Sequence, residues 1–138
     1  MPAIDLGEEW IIDAFGCDPS TLRDAVRLQH MVQMILADMS MRALGDGFWH
    51  TFEGPGGVTG LVPLQESHFS LHTYPEYGVA TINLYCCRSG RSWDWERGLN
   101  RILGAVVVNT RCLARGRAPE AGLGLLSQTS ANGMAREE

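Results

Sequence analysis

Residues Leu64–Cys87, LQESHFSLHTYPEYGVATINLYCC, decide the fold. In an extended strand, His68, Ser70, His72 and Tyr74 point one way, while Phe69, Leu71 and Thr73 point the other. Pro75-Glu-Tyr-Gly78 breaks the alternation and reads as a turn. Beyond it, Thr81, Asn83, Tyr85 and Cys87 share one face, and Ala80, Ile82, Leu84 and Cys86 share the opposite one. A hairpin closed by residues 75–78 pairs Tyr74 with Val79, His72 with Thr81, Ser70 with Asn83 and His68 with Tyr85, and it brings Cys87 beside Glu66-Ser67. Any even shift of register keeps the polar groups together, so parity selects Cys87 rather than Cys86 for the polar face.

Outward from this hairpin, Trp10–Phe15 is a short apolar strand closed by Gly16. Asp18 is a helix N-cap and Pro19 a first helical residue, and apolar spacing carries that helix to about Ala43. Phe48–Phe52 and Val58–Leu64 are further strands around a Gly/Pro loop, and Pro63 places the second of them at a sheet edge. Ser92 caps a helix over Trp93–Leu103, and Ala105–Leu113 is a final strand. The order predicts an α+β fold: a two-layer sandwich, with a mainly antiparallel sheet and helices on one face. Residues 1–115 form a single domain, and the Gly/Ala/Ser-rich stretch 116–138 reads as a flexible tail.

Composition excludes some chemistry. All eleven cationic side chains among the 138 residues are Arg, so no lysine is present to form an imine with a substrate or with pyridoxal phosphate. A net charge of −5 argues against nucleic acid or an anionic membrane as partner. No apolar run approaches the roughly 20 residues of a membrane span. The opening MPAIDLGEEW lacks the features of a secretory signal, so the expectation is a cytoplasmic protein with reduced thiols. The helix methionines read as core filler, and Trp93 and Trp95 as packing residues.

By residue type alone, the polar face admits three readings. It is a polar or partner-covered surface with hydrogen-bonded histidines, a metal site from His68, His72 and Cys87, or a Ser-His hydrolase. No C-x2-C pair supports the metal, and no G-x-S-x-G elbow supports the hydrolase.

The stretch ESHFSLHTYPEYG resembles the processing-site signature of the prokaryotic-type S-adenosylmethionine decarboxylase family. The resemblance extends upstream to Gly16-Cys17-Asp18-Pro19 and to Phe52 with Gly57-Val58-Thr59-Gly60, and downstream through Cys87. It implies a pyruvoyl-dependent proenzyme (a zymogen) that cuts itself between Glu66 and Ser67. Ser67 would attack the Glu66 carbonyl to give an ester, and elimination and hydrolysis would leave a pyruvoyl group at position 67. That ketone would form a Schiff base with the substrate amine and accept electrons from the breaking bond to the carboxylate. No pyridoxal phosphate and no metal is implied. The implied reaction makes the aminopropyl donor for spermidine, within polyamine biosynthesis.

The resemblance also implies roles. His72 matches the processing base, and Thr59 stands where the family usually has a Ser that assists processing. Cys87 matches the proton donor to the substrate carbon. Glu76 matches a glutamate at the ribose hydroxyls, Phe52 an aromatic that stacks on adenine, and Tyr74 and His68 line the substrate site. A homodimer of processed protomers is implied too. Departures fall where substrate is held: Tyr74 replaces a usual Trp and Asn83 a usual Asp. Two alternatives follow from them. One is the same pyruvoyl machinery acting on L-ornithine or L-arginine. The other is an unprocessed, non-catalytic homologue acting as a binding or regulatory subunit.

Overall fold

A computed structural model describes residues 5–117; the sequence outside that range, including nearly all of the expected tail, lies outside the described residues. The elements are β1 (Glu8–Phe15), α1 (Pro19–Leu22), α2 (Ala25–Asp38), β2 (Phe48–Thr51), β3 (Val58–Pro63), β4 (His68–Tyr74), β5 (Val79–Cys86), α3 (Trp95–Leu103) and β6 (Val107–Ala114). The strands form one antiparallel sheet in the order β2-β3-β4-β5-β1-β6. The β4–β5 register is the one expected from closing the hairpin at residues 75–78, with His72 opposite Thr81 and His68 opposite Tyr85.

The helices cover one face. Ile12, Phe69, Leu71, Ile82 and Leu84 turn inward with Leu28, Ile35, Leu99 and Leu103 to make one core. Burying such side chains stabilises the fold by roughly 1.5–3 kcal/mol each, which is why the alternation could settle only one way. This is the α+β sandwich expected.

Three local expectations are corrected. The predicted continuous helix from Pro19 to about Ala43 is two helices. Asp18 caps α1 as expected, but Asp24 is extended (φ −95, ψ 92) and accepts from the Arg27 amide at 3.2 Å, starting α2 afresh. α2 then stops at Asp38, because Ser40 turns left-handed (φ 55) and the Ser40 and Met41 amides donate to the Ala37 and Leu36 carbonyls. That is a Schellman closure with Ser in place of the usual Gly. Of its methionines, Met31 is buried and Met34 exposed, and Met39 just past its end is buried.

Strand β3 is not an edge; β2 lies outside it. Pro63 is tolerated because it is the last residue of the strand, and its carbonyl accepts from the Leu44 amide. The helix expected from Trp93 begins at Trp95, capped by Asp94 rather than Ser92. Trp95 is buried and stands edge-on to Trp93, as packing residues do.

A buried threonine ties helix to sheet. The Thr73 hydroxyl donates to the Leu22 carbonyl at 2.7 Å and accepts from the Val58 amide at 2.9 Å. Thr73→Val keeps the shape and orphans a fully buried N–H, so it is expected to cost about 1–3 kcal/mol. A lowered urea midpoint at unchanged slope would register this, and an unchanged midpoint would refute it.

Candidate active site

The open face of the sheet carries the polar residues in the predicted order. Ser70 faces Asn83 on β5 and Leu61 on β3, and His72 lies between Thr81 and Thr59. These residues gather into two clusters at opposite ends of β4.

The first cluster surrounds the Glu66-Ser67 peptide. Residues 65–67 leave the sheet in a bend, closed by a hydrogen bond from the Leu64 amide to the Ser67 carbonyl at 2.7 Å, and the Gln65 amide donates to the Arg42 carbonyl at 3.0 Å. Both Glu66 and Ser67 are half-buried. The Cys87 thiol donates to the Glu66 carbonyl, the group that precedes Ser67. Strand β5 ends one residue earlier, at Cys86, which points into the core; burial pushes the Cys86 thiol up to about 11, so it stays protonated and inert at neutral pH. Parity thus separates two adjacent cysteines by environment. His68 stacks on Tyr85 with centroids 5.9 Å apart, and Arg115 covers the Tyr85 ring while pairing with Glu9 at 2.8 Å.

The second cluster centres on His72. Its Nδ1 lies 2.5 Å from the Thr59 hydroxyl. Phe52 and Tyr74 stand 5.6 and 4.5 Å from its ring, and His50 meets Phe52 edge-on at 4.5 Å. Phe52, Glu53, His72, Tyr74 and Glu76 line an open cleft of about 260 Å³. Glu76 reaches this cleft because its turn is pinned. The Tyr77 and Gly78 amides bond back to Tyr74 and Pro75, Gly78 takes φ 66, and its carbonyl accepts from Cys17 at 2.9 Å. On the other wall, a side chain at Gly57 would run into the Thr73 carbonyl, so only glycine lets the β2–β3 loop approach this closely.

The two clusters do not meet within one chain. Ser67 and His72 are five positions apart along nearly extended chain, about 16 Å at 3.3 Å per residue. Among the described residues no three His, Cys, Asp or Glu side chains converge as metal ligands would, and no helix is long and apolar enough to cross a membrane.

Residues that pattern reading did not single out also belong here. Arg88 and Arg91 approach the Glu66 carboxylate at 3.7 and 3.4 Å, and His50 extends the aromatic row. The only signal was a pair of arginines, RSGR, just after the two cysteines, and nothing in the sequence says where that loop folds.

The antiparallel sheet with one face covered by helices and one polar face defines the class, a two-layer α+β sandwich with its candidate site on the open face. The solved structure of the adenosylmethionine decarboxylase from Aquifex aeolicus superposes with a TM-score of 0.67 and 26% identity, covering 84% of this chain and 95% of that one. The chain itself belongs to the S-adenosylmethionine decarboxylase family, whose model matches residues 8–116. It is 34% identical over 98 residues to the S-adenosylmethionine decarboxylase proenzyme of Pyrococcus horikoshii, covering 71% of this chain and 68% of that one. It is 31% identical over 113 residues to the proenzyme of Caldanaerobacter subterraneus, covering 80% and 89%. The family that the ESH…YPEYG stretch resembles is therefore the family of the chain.

Proposed function

We propose that this protein is a self-processing, pyruvoyl-dependent carboxy-lyase that decarboxylates S-adenosylmethionine to the aminopropyl donor for spermidine synthesis. Family membership supports the reaction. The observation that carries the processing is the half-buried Glu66-Ser67 bend, with its carbonyl against Cys87.

Ser67 Oγ attacks the Glu66 carbonyl carbon. The C–O bond forms, the C–N bond breaks, and the hydroxyl proton passes to the freed amine. A base then takes the Ser67 α-proton, and elimination releases residues 1–66 with a carboxylate on Glu66. The unsaturated residue left behind tautomerises and takes up water, losing ammonia, to give the terminal ketone. The pyruvoyl group supplies the electron sink that a lysine-free chain otherwise lacks. Its setting fits: a residue at a bend, not in a hydrogen-bonded strand, can become a chain end without opening the sheet.

His72 is the processing base. In the tautomer whose Nδ1–H donates to the Thr59 hydroxyl, which lies 2.5 Å away, the Nε2 lone pair is free to take a proton. Cys87, on the cut-site side, returns a proton to the substrate carbon after CO2 leaves. The aromatic row suits a sulfonium and an adenine ring, and Glu76 suits ribose hydroxyls. His68, stacked on Tyr85, forms a wall beside the cut.

The gap of about 16 Å at 3.3 Å per residue supports a homodimer. A two-fold axis between two facing sheets, crossing β4 near Ser70, runs the partner's β4 the opposite way. Each copy's Ser67 then faces the other's His72. The open face carries Leu61, Phe15, Val107 and Leu113, all exposed, which a second sheet would cover. A location in the cytoplasm fits a thiol that must stay reduced to act.

Intact mass under denaturing conditions, followed by CO2 release from carboxyl-labelled substrates, tests this reading. The expected result is two fragments, 1–66 and 67–138, and CO2 from S-adenosylmethionine. CO2 from ornithine or arginine alone would reassign the substrate, and an intact, inactive chain would leave a binding subunit.

A further inference from the structure

We propose that Arg91 is a positioning residue for self-cleavage, holding the residue before the scissile bond in a guanidinium clamp completed by Arg88. This rests on the self-processing reading above and adds the group that orients the cut.

The clamp starts from a helix end. The last carbonyls of α2 have no partners within the helix, and a cation there is favoured by the helix dipole. Arg91 Nη1 donates to the Met39 and Ser40 carbonyls, both at 3.3 Å, across the left-handed turn at Ser40. Its Nη2 faces Glu66 Oε2 at 3.4 Å. One guanidinium thus ties the α2 terminus to the Glu66 side chain. Arg88, 72% exposed, adds a looser contact to Glu66 Oε1 at 3.7 Å.

The carboxylate depends on this partner. Glu66 Oε2 is shielded from water and accepts no hydrogen bond, so Arg91 compensates its charge. Removing that cation leaves a sequestered carboxylate oxygen unpaired, which forces the side chain to move. The backbone is held from the same side, since Gln65 donates to the Arg42 carbonyl and Leu64 closes the bend onto Ser67. Segment 39–42 is therefore a platform for the cut site, and Arg91 is the side-chain link to it. Glu66 is pinned by its side chain toward the α2 end while its carbonyl faces Cys87. The acyl shift needs Ser67 Oγ aligned on that carbonyl carbon, and small misplacements of reacting groups are costly.

The experiment follows cleavage in a cell-free translation of the full chain, by intact mass over time, for wild type, Arg91→Met, Arg91→Lys, Glu66→Gln and the Glu66→Gln/Arg91→Met pair. Arg91→Met should slow appearance of fragment 1–66 by on the order of 10–100-fold. Arg91→Lys should fall between it and wild type, because a single ammonium nitrogen can meet the carboxylate or the two carbonyls but cannot span from one to the other as the two fork nitrogens do. Glu66→Gln keeps the side-chain shape and should be slowed too, and the double variant should be no slower than the slower single one. Equal rates for wild type and Arg91→Met, or additive losses in the double variant, overturn the clamp while leaving self-processing in place. If Arg91→Met does not fold, Glu66→Gln decides: cleavage at the wild-type rate overturns the proposal. A wild-type chain that never cleaves removes the self-processing reading and the clamp with it.

Discussion

Ser67→Ala is expected to remain a single chain of 138 residues and to release no CO2 above background from S-adenosylmethionine. Without the Oγ nucleophile no ester forms, and without the ester no terminal ketone follows. The chain has no lysine to supply another electron sink, so the loss should be complete rather than partial. The fold should survive, because Ser67 lies in a bend and its backbone carbonyl, not its hydroxyl, closes the turn with Leu64. Cys87→Ala in the same assay is the contrast. It should be cut into both fragments yet turn over about 10²–10⁴-fold more slowly, the usual worth of a placed proton donor. An active Ser67→Ala protein would sink the pyruvoyl mechanism, and an unimpaired Cys87→Ala would remove that thiol from turnover.

Co-expressing Ser67→Ala with His72→Ala should restore cleavage that neither variant shows alone. In a mixed dimer the Ser67→Ala copy still carries His72, and the His72→Ala copy still carries Ser67. If the histidine serves the opposite subunit, the His72→Ala chain is cut. Random pairing puts about half of the His72→Ala chains into mixed dimers, which sets the ceiling. Intact mass distinguishes the chains, since each substitution changes the mass of a different species. The expectation comes from distance alone: the two groups of one chain are five positions apart along nearly extended backbone, about 16 Å at 3.3 Å per residue. An uncut mixture would mean that His72 does not act across subunits. Wild-type cleavage of His72→Ala by itself would mean that His72 is not the base.

The sheet hairpin was legible because one physical rule governs it. A strand with one face on a core must alternate, so LQESHFSLHTYPEYGVATINLYCC carries its own choice of face and of cysteine, and the turn at 75–78 adds the register. The helix between the first two strands was less legible. Both Asp18 and Asp24 can cap, and apolar spacing runs through both of them; only the packed structure shows that Asp24 restarts the helix. Likewise Pro63 read as an edge signal, although a proline at the last residue of a strand removes no needed donor and leaves β3 inside the sheet. The start of α3 was misplaced by a similar ambiguity between Ser92 and Asp94.

Site residues divided in the same way. Ser67, His72 and Cys87 could be named from the motif, because reactive side chains are written in the residue types themselves. Their gathering into two clusters could not, since parity says which face a residue shares but not which distant loops and strands pack around it. Arg88, Arg91 and the Ser40 turn come from segments distant in sequence from Glu66, and no short-range pattern links them.

The sequence by itself determined the alternating strands, the capped helix start at Asp18 and the motif around Ser67, because each depends on neighbours within a few residues, and its composition alone determined the absence of any lysine. Tertiary structure alone decided the strand order β2-β3-β4-β5-β1-β6, the hold of the α2 terminus on Glu66 and the bend that takes Ser67 out of the sheet. Those depend on contacts that close only when the helices bury one face of the sheet, and burial is a property of the whole chain rather than of any stretch of it.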